Sequence, residues 1–155
     1  MLLPPESCDP QEWHKFFAST ANNRAWELSV RPRTPTQDRE MLDAAHASAW
    51  HWNAIGTEQH RMRATMLLAE VHALLGHGAS ALSYAQEMKA YFLREATPDW
   101  ELAFTHVIYA HAASAAGAPE LHRKAYAEAV TAIQAIADDE DRSIVLKTFD
   151  QVPRA

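Results

Sequence analysis

The tripeptides Leu74-Leu75-Gly76 and Ala115-Ala116-Gly117 stand 41 residues apart, and each lies between two stretches with helical apolar spacing. A helix commonly ends on Gly, because Gly enters the left-handed region without a Cβ clash. Two matching stops describe a helix–turn–helix unit that recurs along the chain. Composition supports this reading. Ala is abundant, Gly occurs only four times, and the β-branched residues that strands favour are thinly spread.

Seven helices follow from the apolar periods and their punctuation. The first starts at Asp9-Pro10, with Asp9 as N-cap, and runs to about Val30, placing Trp13, Phe16, Phe17 and Trp26 inward. Arg31-Pro-Arg-Thr-Pro35 breaks it. Thr36, or Thr34 with Pro35 at the first helical position, caps the second helix, whose stripe is Met41/Leu42, Ala45, Ala49, Trp52 and Ile55. Gly56 stops that helix and Thr57 caps the third, which runs to Leu75. The fourth covers about Ala79–Ala96. Thr97 caps the fifth, which has Pro98 at its first position and ends at Gly117. The sixth starts at Pro119. An acidic break at Asp138–Asp141 precedes a short seventh helix carrying Ile144, Val145 and Phe149.

Within the first repeat unit, Leu67 to Gly76 followed by Ala81-Leu82 resembles a tetratricopeptide repeat. Ala69 and Ala81 stand where two helices approach closely, Gly76 takes the turn, and His72 stands where that family usually carries Tyr. The second unit matches at Ala110 and Gly117, but its small residue comes late, at Ala125, and the 41-residue interval exceeds the family's period of roughly 34. The expected fold is all-α: a tetratricopeptide-like right-handed array of about seven antiparallel helices in one domain, 1–155, with residues 1–8 a mobile N-terminal segment.

A further resemblance lies in Asn22-Asn23-Arg24-Ala25-Trp26-Glu27-Leu28, Arg33-Thr34-Pro35, Met41 to Ser48 with its His46-Ala-Ser48, His51-Trp52 and Gly56-Thr57. Arg63, Leu75-Gly76, Ala81-Leu82, Asp99 and Ala103-Phe104 extend it across roughly residues 20–145. On these residues the chain is similar to a family of uncharacterised, tetratricopeptide-like bacterial proteins. It departs from that family in helix three, where His60, Thr65, Met66 and His72 replace the usual Asn, Glu, Trp and Tyr. The resemblance implies the helical array and brings no activity with it.

A formal charge of −6 disfavours nucleic acid and anionic membrane as partners, since both need a basic footprint. The single Cys8 has no intramolecular partner, which fits a reducing compartment. No segment reaches the roughly 18 to 20 apolar residues of a membrane span, and the N-terminus lacks the charged and apolar regions of a signal peptide. A cytoplasmic location is expected.

Candidate chemistry centres on His46–Trp52, where two of five Trp and two of nine His fall within seven residues. His46 and His51 point roughly 140° apart on a helix, as do His106 and His111, so neither pair matches the i, i+4 spacing of a one-helix zinc site. A metal site needs histidines from several helices, for example His46, His106 and His111 with Glu70 or Glu101; packing between helices is the competing reading. Trp50 and Trp52 are roughly 200° apart and must face different layers. Trp52 belongs to the core stripe. His46 and Trp50 can touch at i, i+4 and flank a groove. Arg24, Arg31, Arg33, Arg61 and Arg63 form a basic cluster suited to an acidic peptide or to balancing Glu58 and Glu70. No nucleophile motif and no phosphate-cradling Gly loop is present.

These features point to a non-enzymatic interaction module that binds a protein or peptide in a groove of side chains from helices three and five. The residues expected to bind are His46, Trp50, His51, Arg63, Glu70 and His106, without catalytic residue, metal or cofactor. Self-association, a homodimer for instance, follows from the uncovered end faces of short arrays. The rival expectation is a small ligand- or metal-binding protein or enzyme in which His46, His51 and His106 converge on a pocket.

Overall fold

A computed structural model describes residues 1–155 as seven α-helices and no strand. They are α1 (Pro10–Ser29), α2 (Pro35–Ile55), α3 (Glu58–Leu74), α4 (Gly78–Arg94), α5 (Asp99–Ala115), α6 (Pro119–Gln134) and α7 (Asp139–Phe149). No helix is long and apolar enough to cross a membrane.

The starts follow capping chemistry. Asp9 accepts from the Gln11 N–H and Asp138 from the Glu140 and Asp141 N–H groups. Thr34, rather than Thr36, caps α2, and its capping box with Gln37 satisfies two backbone donors reciprocally. Thr57 caps α3, with the His60 ring in the place a Gln side chain would take. Thr97 does not cap α5. Its hydroxyl donates back to the Phe92 carbonyl, and the helix begins after Pro98 without a side-chain cap.

The two Gly stops are equivalent. Gly76 and Gly117 have φ of 74° and 68°, and the following N–H closes each helix end, His77 to the His72 carbonyl and Ala118 to that of Ala113. Gly78 answers a different constraint. A Cβ there would come within 2.3 Å of the Ala115 carbonyl oxygen, so this position lets the α3–α4 turn pass directly beneath the α5–α6 turn.

Packing is sequential. α1 pairs with α2, α3 with α4 and α5 with α6, while α3 also packs on α1, α2 and α5, and α5 on α4 and α7. α3 and α5 are therefore the central helices, buried nearly all round. Of the small residues in the two repeat units, Ala69, Ala81 and Ala110 are fully buried and Ala125 nearly so. The larger core runs through α3 to α7, and a smaller one joins Ala25, Leu28, Met41, Ala45, Leu67, Leu68 and Val71.

Two expectations about inward faces are corrected. In α1 the buried positions are Ala18, Ala25, Leu28 and Ser29, whereas Phe17 is 45% exposed and Trp13, Phe16 and Trp26 are half-buried. The buried positions of α1 and α2 carry Ala, Ser, Leu and Met but no aromatic ring, and the large rings of α1 lie on the flanks. Trp52 likewise lies outside the core. It is half-buried and stacks face to face on His60, with ring centres 4.3 Å apart, because Met41, Ala45 and Ser48 occupy the contact face of α2.

Candidate functional site in the cleft between α1, α3, α5 and α7

One face of the molecule is a cleft of about 570 Å³ to which α1, α3, α5 and α7 each contribute. Its wall is aromatic. Phe104 lies between Trp26 and Trp100, with ring centres 5.8 and 6.3 Å away, and Met66 and Ile144 extend the apolar surface. Asn22, Asn23, Glu27 and Lys147 line it alongside these rings.

The polar centre is Arg63 on α3. Its Nε and Nη2 donate to the two carboxylate oxygens of Glu101 at 2.5 and 3.0 Å, a bidentate pair. The Glu101 side chain is only 2% exposed, while that of Arg63 is 41% exposed. The buried carboxylate thus anchors a guanidinium that still meets solvent. That hydrogen-bonded pairing, against the opposing effect of burial, raises the Arg63 pKa further. The guanidinium also stands 6.0 Å from the Trp100 ring centre, within cation–π range. The arrangement offers flat apolar surfaces and a fixed cation, which suits recognition.

Other expected residues lie elsewhere. Glu70 presents no atom to the cleft. It is fully buried between α3 and α5, where both oxygens meet His111 Nδ1 at 3.0 and 3.1 Å. Burial alone would lower the His111 pKa, but the Glu70 charge and hydrogen bond outweigh it and raise it. His106 Nδ1 is buried without a hydrogen bond, 3.5 Å from the Glu128 carboxylate, and its pKa is lowered by burial and by Lys89.

His46 does not flank a groove with Trp50. Its Nε2 meets His72 Nε2 at 3.1 Å, and His72 Nδ1 meets His77 Nδ1 at 3.0 Å, making a line of three imidazoles. A neutral imidazole has one N–H and one lone pair, so His72 donates to one neighbour and accepts from the other. Burial and the two flanking histidines push its pKa down to about 4. His51 makes a second such contact, with His14 Nδ1 at 2.8 Å, and burial and His14 lower its pKa. Trp50 is 65% exposed and rests against the His14 and His51 rings.

His46, His51 and His106 therefore do not converge on a pocket, and no three His, Cys, Asp or Glu side chains come together in a way that could hold a metal ion. The arginine cluster also resolves into separate partners: Arg24 with Glu27 and Glu40, Arg31 with Glu27, Arg33 with Asp38, and Arg61 with the Gly56 carbonyl. Of the six residues expected to bind, Arg63 alone lines the cleft. Sequence reasoning missed Trp100, Phe104 and Lys147. The available signal was their i, i+4 relation: Trp100 and Phe104 project from one face of α5, beside the buried Glu101. The chain matches no protein-family model, no curated protein and no solved structure.

Proposed function

We propose that this chain is a tetratricopeptide-like right-handed array acting as a non-enzymatic interaction module, and that it binds an extended peptide or partner helix in the α1/α3/α5/α7 cleft. The observation that carries the reading is the aromatic wall Trp26–Phe104–Trp100 beside an anchored, solvent-reaching Arg63. Buried aromatic and Arg side chains dominate binding energy at interfaces. The hairpin-by-hairpin packing, with every first helix of a pair on the cleft, is the arrangement that presents such a groove in helical repeats.

The test is selection of peptides from a random display library on the intact protein, followed by fluorescence polarisation with the selected peptides. Trp26→Ala and Trp100→Ala are expected to weaken binding about tenfold or more, equivalent to at least ~1.4 kcal/mol. Selected peptides that bind both variants as tightly as the wild type, or a selection that enriches no sequence, would count against the reading.

A further inference from the structure

The α1–α2 hairpin is held on the rest of the molecule almost wholly by apolar packing. Apart from each other, α1 and α2 pack on α3, and α1 also sets Trp26 against Phe104 of α5. The smaller core that joins them to α3 is distinct from the larger one through α3 to α7. No ion pair crosses this boundary, since Arg24, Arg31 and Arg33 find their carboxylates within the hairpin. Between residues 1–55 and 58–155 there is one hydrogen bond, His46 to His72, and it continues through His72 to His77 in the α3–α4 turn.

Each contact in that line needs an N–H on one nitrogen and a lone pair on the other. Neutral, the three rings carry one N–H each. Two of these serve the contacts, and the third points outward from His46 Nδ1 or His77 Nε2. A first added proton takes the remaining outward nitrogen and spares both contacts. A second sets N–H against N–H in one contact, and a third does so in both. No carboxylate pairs with His72 to offset the charge. His46 faces it from α2, His77 from the turn and the Tyr84 ring from α4. α1 brings only Ala25 and Leu28 to the shared core, and on the α5 side the Glu70 carboxylate is engaged with His111. Asp43 stands one turn before His46 on α2 and is exposed. Burial and the charges of His46 and His77 hold the pKa of His72 at about 4.

We propose that the His46–His72–His77 line is an acid-released latch: neutral, it fixes the α1–α2 hairpin on α3, and protonated, it frees the hairpin and with it the α1 wall of the cleft. Release returns His72 to water and to its ordinary value near 6.5. Docking is therefore complete at neutral pH and weakens as pH falls from about 6.5 towards 4. His72 alone shifts the docking equilibrium about twentyfold between pH 7 and pH 5. α1 supplies Asn22, Asn23, Trp26, Glu27 and Val30 to the cleft, so an occupant is held at neutral pH and let go in acid. That consequence rests on the binding role proposed for the cleft, and the latch itself does not.

The test is hydrogen exchange of the full chain read by mass spectrometry at pH 7 and pH 5, expressed as protection factors so that the intrinsic pH dependence of exchange is removed. Helices freed from their packing unwind. Protection in α1 and α2 is expected to fall about twentyfold from pH 7 to pH 5, while that in α5 and α6 holds. His72→Gln keeps a donor and an acceptor but does not titrate, and it is expected to abolish the response. His46→Gln, at an exposed position, is expected to weaken it and keeps the test open if His72→Gln does not fold. His51→Gln is expected to leave it unchanged, because its partner His14 lies within the hairpin. Equal losses in α1–α2 and α5–α6, no loss in α1–α2, or a loss that His72→Gln and His46→Gln both retain in full overturns the proposal. The measurement needs no ligand, so a cleft that selects no peptide counts against the binding role and not against the latch.

Discussion

Glu70 and His72 are two residues apart on α3, and they illustrate two ways of burying an imidazole. Roughly 200° of helix rotation separates them, so they face different neighbours. On one side the Glu70 carboxylate meets His111, and the pKa of that imidazole rises. On the other, His72 meets only His46 and His77, and its pKa falls to about 4. Both rings are more than nine-tenths buried, so desolvation acts on both. The partner decides the sign: a carboxylate offsets the cost of a buried cation, and another imidazole adds to it.

The largest test of this contrast is His111→Leu. It removes the sole hydrogen-bond partner of a fully buried carboxylate and is expected to destabilise the fold by about 3 kcal/mol. Urea denaturation at neutral pH measures it. A loss well under 1 kcal/mol would show that Glu70 finds another partner or takes up a proton cheaply, and the two sides of α3 would not differ as described.

The pH dependences have opposite signs. The folded pKa of His72 is depressed, so the unfolded state binds more protons below about 6.5, and stability is lost as pH falls from there towards 4. His72→Gln is expected to cost about 1 kcal/mol at pH 7 and to flatten the decline of melting temperature between pH 6.5 and 4. An unchanged slope would place the acid sensitivity elsewhere. His111 behaves in reverse. Its folded pKa is raised, so its contribution is complete below about 6.5 and fades as pH rises through the folded value. The stability difference between wild type and Glu70→Gln should therefore shrink from pH 6.5 to 9, and a constant difference would mean that His111 carries no charge in the fold.

The two sides of α3 were unequally legible in the sequence. Helix number and turns follow from local chemistry: the caps Asp9 and Thr57 and the stops Gly76 and Gly117 act within a few residues, and the structure shows each in that role. Side-chain partners are set by packing between distant elements. Glu70 meets His111 across 41 residues and Arg63 meets Glu101 across 38, and no local pattern marks either. A charged residue on an Ala-rich helix reads as a solvated or groove-lining group. Glu70 is instead enclosed because α3 is covered by α1, α2, α4 and α5, a property of the assembled helices rather than of its segment. Phe17 and Trp52 mislead in the opposite direction, since apolar spacing puts large rings inward while the buried positions of α1 and α2 carry only Ala, Ser, Met and Leu.

The smallest and most specific prediction concerns His77, an exposed end of the imidazole line. His77→Gln leaves the core untouched and is expected to change stability by no more than about 0.5 kcal/mol. Its effect is on the neighbour. The charge of a protonated His77 is one of the causes that lower the His72 pKa, after burial and His46. Removing it should move His72 upward from about 4 towards its ordinary range, while leaving His111 unchanged. A pH titration of the imidazole resonances by NMR reads both rings in one experiment. An immobile His72 would assign its depression to burial and His46 alone. A His111 that moves as well would mean that the two sides of α3 communicate, and that its opposed faces are not independent environments.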